Sequence, residues 1–452
     1  MIFKRKIYDK LLDWKKHSSS EKALLVEGAR RIGKSTIVEE FAKAEYKSYI
    51  LIDFNDVSKV ILDAFENYLN DLDTFFLILS TEYNKTLYTK ESLIIFDEIQ
   101  KFPKARQSIK KLIKDGRYDY IETGSLISIK ENVQDITVPS EERPIKMYPM
   151  DFEEFCWALN EEKMIDYIKL CFKKRIPLEE GLHHKAMLLF KQYMLVGGMP
   201  MSLAKYLENN RSFAAADAEK RDILTLYRND IEKADKSYRA KIAAIFEQIP
   251  AFLSKHEKRV RLSNIDGNAS YPLYEETFYW LGDSMICNEC FCCDDPNVGL
   301  SFNEDRAYIK CYLNDTGLLV SHAFNEKEIA DGELYRQILH DNLSINEGML
   351  FENAIAQCLT ANGYKLYFYT HYNEENHRND MEIDFIISNG SKTKPKIFPI
   401  EVKSGKRYET KSLTKFIGVY HQRIGESFII HTKNFAIKDK VVCLPSYMTF
   451  LL

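Results

Sequence analysis

The residues whose types and spacing could do chemistry begin with a glycine-rich stretch near the start of the chain. Gly28 and Gly33 would let the backbone bend and turn its N–H groups towards phosphate oxygens. Lys34 would reach the β- and γ-phosphates of a nucleotide, and the Ser35 hydroxyl would bind Mg²⁺. The alternative is an ordinary glycine-rich turn, which the apolar run before it and the helical pattern after it disfavour. The spacing predicts a phosphate-binding loop formed by Gly28, Ala29, Arg30, Arg31, Ile32, Gly33, Lys34, Ser35 and Thr36.

A second stretch places two acidic residues directly after a short apolar run. Asp97 would hold Mg²⁺ through water, and Glu98 would orient and polarise an attacking water molecule. Thr123 or Ser125, at the end of a later predicted strand, could hydrogen-bond the γ-phosphate or that water. The alternatives are a plain strand terminus at the acids and a simple Thr-Gly-Ser turn. Together these residues predict ATP hydrolysis with Lys34 and Glu98 as the catalytic residues.

A third group of reactive types lies near the carboxyl end of the sequence. Glu401 and Lys403 are two residues apart, so they would project from one face of a predicted strand. Asp384 on a neighbouring strand and Glu352 on a helix could meet Glu401 at a shared Mg²⁺, and Lys403 could assist deprotonation of the attacking water. The pattern resembles the PD-(D/E)XK nuclease core. A related fold that has lost the reaction, or serves only for binding, is the alternative.

The elements that must position the first two groups alternate along the chain. Predicted strands begin near residue 23 and cover 48–54, 93–96 and 118–125, with helices between them. The apolar run 48–54 is typical of a strand buried on both faces. This alternation predicts an α/β fold with a parallel sheet that holds its ligand at the carboxyl ends of the strands.

Composition narrows the class of protein further. A chain of 452 residues, 45% of them hydrophobic and 29% charged, is expected to form two to four globular domains. A net charge of −4 gives no global nucleic-acid footprint, so any DNA contact must use a local basic patch. No apolar run reaches the length of a membrane helix, and nine cysteines without a secretion signal indicate reduced thiols. We therefore expect a cytoplasmic protein without a membrane partner.

Four motifs occur in the order found in a large prokaryotic family of AAA-type ATPases, which the sequence resembles over nearly its whole length. The motifs are Gly28-Ala29-Arg30-Arg31-Ile32-Gly33-Lys34-Ser35, Asp97-Glu98-Ile99-Gln100, Thr123-Gly124-Ser125 and Tyr148-Pro149-Met150-Asp151-Phe152-Glu153-Glu154-Phe155. The resemblance implies a P-loop ATPase core over 1–145, a helical lid over 146–221, a winged-helix segment over 222–330 and an α/β restriction-nuclease-like domain over 331–452.

The resemblance also assigns roles within the lid. Val196-Gly197-Gly198-Met199-Pro200 resembles a lid turn whose proline lies near the nucleotide base, so Pro200 is a predicted nucleotide contact. The same residues would equally serve as a helix stop followed by a helix that begins with proline. Arg143 could neutralise phosphate charge, in its own chain or from a neighbouring one. The alternative for Arg143 is a solvated surface residue.

The predicted winged-helix segment carries two further features. Lys255, Lys258, Arg259 and Arg261 form a local basic patch, which either contacts DNA or is a solvated face of a protein-docking module. Its predicted hairpin, 284–313, contains four cysteines within seven residues, which could suggest zinc. No second Cys/His pair follows at finger spacing, and we expect the hairpin to hold no metal.

These observations predict a Mg²⁺-dependent enzyme that binds ATP and ADP and couples the nucleotide state to DNA binding or processing by the nuclease-like domain. The alternative is an ATP-dependent regulatory switch that acts through protein partners and has a catalytically inert carboxyl-terminal fold. DNA-stimulated ATP turnover would favour the first hypothesis over the second. The sequence leaves the oligomeric state open.

Overall fold

A computed structural model describes residues 1–125, 139–255, 257–265, 267, 270–324, 333–339, 347–373, 378–389, 396–405 and 408–452. The chain divides into two compact units. The first comprises Met1–Tyr148 and Asp283–Met285, and the second comprises Pro149–Gly282 and Ile286–Leu452. None of the helices in the described ranges combines the length and apolar character needed to cross a bilayer.

The first unit alternates strands and helices around one parallel sheet. Its elements are α1 (Ile7–His17), β1 (Ala23–Glu27), α2 (Lys34–Glu45), β2 (Ser48–Asp53), α3 (Lys59–Asn67), α4 (Leu72–Glu82), β3 (Ser92–Asp97), α5 (Pro103–Asp115), β4 (Asp119–Gly124) and β5 (Glu142–Lys146). The five strands pair in the order β2-β3-β4-β1-β5, and the four neighbouring pairs are all parallel. The α/β fold predicted for this part is confirmed.

Apolar side chains of the sheet and its helices form the core of the first unit. Phe65 of α3 lies within 5.0–5.9 Å of the rings of Phe54, Phe75 and Phe96, all measured between ring centroids. β3 is buried along its whole length, as its continuous apolar run predicts. β2 is an edge strand, however, and its residues alternate between buried and half-buried, so the prediction of burial on both faces is wrong there.

The second unit begins with helices. They are α6 (Phe152–Ala158), α7 (Glu162–Lys174), α8 (Glu180–Val196), α9 (Pro200–Glu208), α10 (Phe213–Ile231), α11 (Arg239–Leu253) and α12 (Tyr271–Asp283). α6 begins with a capping box, in which the Asp151 side chain accepts from the backbone of Glu154 and Glu154 reaches back to Asp151. This cap gives the Asp-Phe-Glu-Glu part of the fourth motif a structural role.

The rest of the second unit is built around a mixed sheet of eight strands. Its elements are β6 (Cys287–Cys293), β7 (Glu304–Leu313), α13 (Thr316–Ala323), α14 (Glu333–Leu339), α15 (Glu347–Ala361), β8 (Leu366–Asn373), β9 (Arg378–Asn389), β10 (Lys396–Lys403), α16 (Lys411–Tyr420), β11 (Ser427–His431), β12 (Ala436–Lys438) and β13 (Val441–Pro445). The strand order is β12-β13-β11-β10-β9-β8-β6-β7.

The predicted hairpin belongs to this same sheet. β6 pairs antiparallel with β7, as predicted, but it also pairs parallel with β8. The sheet therefore crosses the predicted boundary between residues 330 and 331, and β6 and β7 share a sheet with the strands of the predicted nuclease-like domain. Sequence patterns did not indicate this, because strand pairing over such a separation depends on tertiary contacts.

A glycine turn between α8 and α9 packs against two other segments of the second unit. A Cβ atom on Gly198 would lie 2.1 Å from the carbonyl oxygen of Met150, and one on Gly197 would lie 2.3 Å from Oδ1 of Asp315. The Gly198 N–H donates to Oδ2 of Asp315 at 2.5 Å, and the Asp315 side chain also caps α13 by accepting from Leu318. Both positions are therefore glycine because the Met150 backbone and the Asp315 carboxylate approach the turn closely.

We predict that Gly198→Ala destabilises the second unit by about 2 kcal/mol, because the added methyl group must displace the Met150 carbonyl. Urea unfolding followed by circular dichroism measures this change. The matched control is Gly418→Ala in α16, where an added Cβ meets nothing within 4 Å, so stability should stay equal or rise by up to about 1 kcal/mol. Equal unfolding midpoints for Gly198→Ala and the parent would contradict the close approach.

Candidate functional site

The predicted phosphate-binding loop connects β1 to α2. Gly28 sits beneath the Met147 carbonyl oxygen, which a Cβ atom would approach to 2.6 Å, because Met147 pairs with Glu27 at the end of β1. Gly33 adopts a left-handed conformation with φ of 90° immediately before α2 begins at Lys34. Each glycine therefore occupies a position that a residue with a side chain could fill only with strain.

Lys34 lies inside the loop rather than on its surface. Its side chain is only 6% exposed, and Nζ donates to the carbonyl oxygens of Gly28 at 3.0 Å and Ala29 at 2.9 Å. Burial lowers the pKa of Lys34 to about 8, against the opposing effect of the carboxylates of Glu98 and Asp97. The lysine is thus a desolvated donor held close to the two predicted catalytic acids.

Asp97, at the carboxyl end of β3, connects the loop to the middle of the sheet. Its Oδ1 accepts a hydrogen bond from the hydroxyl of Ser35 at 2.8 Å and another from the hydroxyl of Thr123. Thr123 is fully buried on β4, which separates β1 from β3. The hydroxyl predicted to contact phosphate or water therefore donates to Asp97 instead, and it positions that carboxylate.

Glu98 leaves the strand in a left-handed backbone conformation with φ of 54°. Its N–H points to the Thr123 hydroxyl oxygen at 3.4 Å, and its Oε2 accepts from the side-chain amide of Gln100 at 2.6 Å. The positive φ turns Glu98 away from the direction of β3. Such uncommon backbone conformations are concentrated at functional sites. Gln100 belongs to the same motif as Glu98, but the residue pattern did not indicate the contact between their side chains.

Arg5 is a further contributor that the sequence did not reveal. Its guanidinium donates to the carbonyl oxygen of Ile32 in the loop at 2.8 Å and to that of Tyr148 at 2.7 Å. Arg5 is 7% exposed, so these bonds are sheltered from water. The only sequence signal was an undistinguished basic run at residues 4–6, and we assign Arg5 the role of fixing the loop.

The residues present fit a bound Mg²⁺ beside a nucleotide. The Ser35 hydroxyl and the Asp97 carboxylate are hard oxygen donors within hydrogen-bond distance of each other, which is the ligand chemistry that Mg²⁺ prefers. Of the other loop residues, Ile32 is buried, whereas Arg31 and Thr36 are exposed.

Arg143 and Pro200 are two further candidate nucleotide contacts that the sequence suggested. Arg143 is 44% exposed and lies near Asp13 at 3.6 Å and Ser18 at 3.3 Å, which matches the surface alternative. Pro200 is the first residue of α9 in the second unit. Its predicted contact with the nucleotide base stays a prediction.

In the second unit, Asp384 and Glu401 lie on adjacent antiparallel strands. The paired register of β10 and β9 ends at Ile400 and Phe385, and Glu401 and Asp384 are the next residues on the two strands, so the two acids lie at the same end of this ladder. Oδ2 of Asp384 accepts from the Val402 N–H at 2.8 Å.

The two carboxylate oxygens of Glu401 have different surroundings. Oε1 pairs with Lys403 Nζ at 2.6 Å, whereas Oε2 is buried without a hydrogen-bond partner among the described residues. Burial raises the pKa of Glu401, Lys403 opposes this, and the Asp384 carboxylate adds to it. A buried acceptor oxygen near a second carboxylate fits a divalent cation held by Asp384 and Glu401.

Glu352 does not fit its predicted place as a third metal ligand. Its carboxylate is 1% exposed and accepts from Lys258 Nζ, from Lys310 Nζ at 3.4 Å and from the Tyr312 hydroxyl. Burial alone would raise the pKa of Glu352, but the two ammonium groups outweigh it and hold that pKa at about 2. Both oxygens of Glu352 are thus engaged by the chain itself.

The predicted basic patch is largely paired. Arg259 and Arg261 each donate to Oε2 of Glu257 at 2.7 Å, and Lys258 turns inwards to Glu352. Lys255 remains exposed. This arrangement leaves less free positive charge for a DNA backbone than the sequence suggested.

The cysteine cluster lies inside the sheet. Cys287, Cys290, Cys292 and Cys293 are all buried on β6. Burial raises the pKa of each thiol, and a protonated thiol is a poor metal ligand. Buried hydrophobic packing accounts for the cluster, and the expected lack of metal stays a prediction.

Comparisons with known proteins agree with this geometry. A family model described as an AAA domain matches residues 20–156, and two domains of unknown function, DUF8612 and DUF4143, match 187–328 and 347–447. No protein with a curated description matches the chain in sequence.

Similar solved structures include the Walker-type ATPase PABY2304 of Pyrococcus abyssi, with 15% identity and a TM-score of 0.41 over 71% of this chain and 96% of that one. Another is Cdc6p from Pyrobaculum aerophilum, with 11% identity and a TM-score of 0.25 over 74% of this chain and 92% of that one. The AAA-domain match coincides with the parallel sheet and the loop described above. The loop and the parallel sheet of residues 20–156 thus fit a P-loop domain of the AAA type.

Proposed function

We propose that the first unit binds ATP with Mg²⁺ and hydrolyses it, and that the nucleotide state controls the second unit. The observation that carries the proposal is the shared oxygen of Asp97, which accepts from both Ser35 and Thr123. This contact brings a phosphate loop and an acidic strand end together at one point of a parallel sheet, where such sheets bind their ligands. ADP is the nucleotide product of this reaction, and it would bind at the same loop.

Each residue has a distinct role in this proposal. Lys34, desolvated and close to two acids, neutralises phosphate charge, and Ser35 and Asp97 hold the metal ion. Mg²⁺, when bound, neutralises charge that develops on the phosphate oxygens. Glu98 orients the attacking water, and Gln100 holds the Glu98 carboxylate in place.

We predict that Glu98→Gln binds ATP with nearly parental affinity but hydrolyses it at least about a hundredfold more slowly, because the shape is kept and the charge that polarises water is lost. Phosphate release and binding of a fluorescent ATP analogue measure the two effects. Lys34→Ala, the matched control, should lose both binding strength and turnover. Parental turnover by Glu98→Gln would assign the catalytic acid to another residue.

For the second unit we propose DNA processing by a metal-dependent nuclease site, with Asp384 and Glu401 as ligands and Lys403 beside them. The support is the position of the two acids at the same end of the β9–β10 ladder together with the buried Oε2 of Glu401, which has no hydrogen-bond partner among the described residues. A divalent ion there would stabilise negative charge on a phosphodiester. Lys403, paired with Glu401, places a positive charge at the same face, where it would assist deprotonation of the attacking water.

The pairing of the basic patch favours the other hypothesis, a regulatory switch that acts through protein partners with an inert carboxyl-terminal fold. Glu257 offsets one of the two positive charges of Arg259 and Arg261, and Glu352 offsets that of Lys258, so the patch presents less free positive charge to DNA than its four basic residues suggest. DNA-stimulated ATP turnover supports DNA processing. ATP turnover that is indifferent to DNA, with a conformational change on ATP binding, supports the switch.

We predict that Lys403→Ala abolishes Mg²⁺- or Mn²⁺-dependent cleavage of DNA and leaves ATP hydrolysis within about twofold of the parent, because the two sites lie in different units. Gel analysis of linear, nicked and single-stranded DNA, with and without ATP, measures cleavage. Lys411→Ala, at a highly exposed lysine nearby in sequence, is the control and should cleave normally. A parent protein that hydrolyses ATP but cleaves none of these forms would contradict the nuclease proposal.

A further inference from the structure

Two positively charged side chains already compensate the carboxylate of Glu352, as a bound divalent ion would. Lys258 and Lys310 together place two ammonium groups on it, and Tyr312 adds a hydroxyl. All three donors approach a side chain that is 1% exposed, where an uncompensated carboxylate would be costly. Both oxygens of Glu352 are thereby engaged by groups of the chain itself.

The side chains of the two lysines differ in their exposure to solvent. Lys310 lies on β7 with a side chain that is 0% exposed, and its Nζ also lies 3.6 Å from Oε1 of Glu382. Lys258 follows α11, its backbone is left-handed with φ of 50°, and its side chain is 18% exposed. Lys310 is therefore a buried part of the sheet, whereas Lys258 reaches the Glu352 carboxylate from a partly exposed position.

Asp384 and Glu401 each keep one carboxylate oxygen that has no hydrogen-bond partner among the described residues. Oε1 of Glu401 pairs with Lys403 and Oδ2 of Asp384 accepts from the Val402 N–H, whereas Oε2 of Glu401 and Oδ1 of Asp384 have no such partner there. Two monodentate carboxylates bind a divalent ion weakly, because affinity rises with the number of charged ligands. Release of Glu352 would add a third charged ligand.

On the basis of the proposed cation site of Asp384 and Glu401, we propose that Lys258 is a built-in counter-cation. Its ammonium group pairs with a third carboxylate, that of Glu352, and so keeps the affinity of the site for divalent metal low. The cation gains its third ligand when the Lys258 ammonium is withdrawn. Lys258 thus sets metal affinity and is a positioning residue rather than a metal ligand.

The test measures Mn²⁺ binding to the full-length chain without nucleotide, by calorimetry and by the electron paramagnetic resonance signal of free Mn²⁺. Lys258→Met keeps the aliphatic stem, removes the charge, and leaves Glu352 paired with Lys310 and Tyr312. We expect its Kd for Mn²⁺ to fall at least about tenfold below that of the parent. Lys258→Arg, which keeps the charge, and Lys255→Met, at an exposed lysine of the same stretch, should bind like the parent.

Three outcomes separate this inference from the site on which it rests. Tighter binding in Lys258→Met that disappears in the double variant with Glu401→Gln supports both. Unchanged affinity in Lys258→Met, with binding still abolished by Glu401→Gln, overturns the role of Lys258 and leaves the cation site standing. No Mn²⁺ binding in any folded variant overturns the cation site itself. If Lys258→Met does not unfold cooperatively, Lys258→Gln, which keeps a hydrogen-bond donor, takes its place.

Discussion

A single oxygen of Asp97 accepts hydrogen bonds from Ser35 on the phosphate-binding loop and from Thr123 on β4. The three residues belong to segments that are far apart in sequence, and they converge because β1, β4 and β3 are neighbours in one parallel sheet. A buried carboxylate requires such donors, since an unpaired charge in this position would be costly. The same contact sets the position of Glu98, whose N–H points to the Thr123 hydroxyl.

Local patterns were sufficient to predict the phosphate-binding loop and four of the five strands of the first unit. The strand, glycine loop and helix around Lys34 follow directly from residue types and spacing, as does the buried strand that ends at Asp97. β5 was not predicted, because Glu142–Lys146 is polar, contains a proline and lies at the edge of the sheet, where the hydrophobic pattern is weak. Arg5 was missed for a different reason: its partners, Ile32 and Tyr148, are distant in sequence.

In the second unit, the sequence indicated which side chains would form a site better than it indicated their contacts. The position of Asp384 and Glu401 at the same end of the β9–β10 ladder follows from strand periodicity and antiparallel register. The partners of Glu352 could not be predicted, because Lys258 and Lys310 lie 94 and 42 residues away and reach it only when β7 joins the sheet. Charge balance over such separations is a tertiary property, and here it changes a predicted metal ligand into a lysine-paired residue.

The central claim is that Asp97 links the phosphate loop to Mg²⁺. Binding of a fluorescent ATP analogue, titrated with and without Mg²⁺, tests it most directly in the parent and in Asp97→Asn. The amide oxygen can still accept from Ser35, but it lacks the charge that attracts the ion. The account predicts that Mg²⁺ increases the affinity of the parent for the analogue and has little effect on Asp97→Asn, while the Mg²⁺-free affinities are similar. An equal Mg²⁺-dependent increase in both proteins would contradict it.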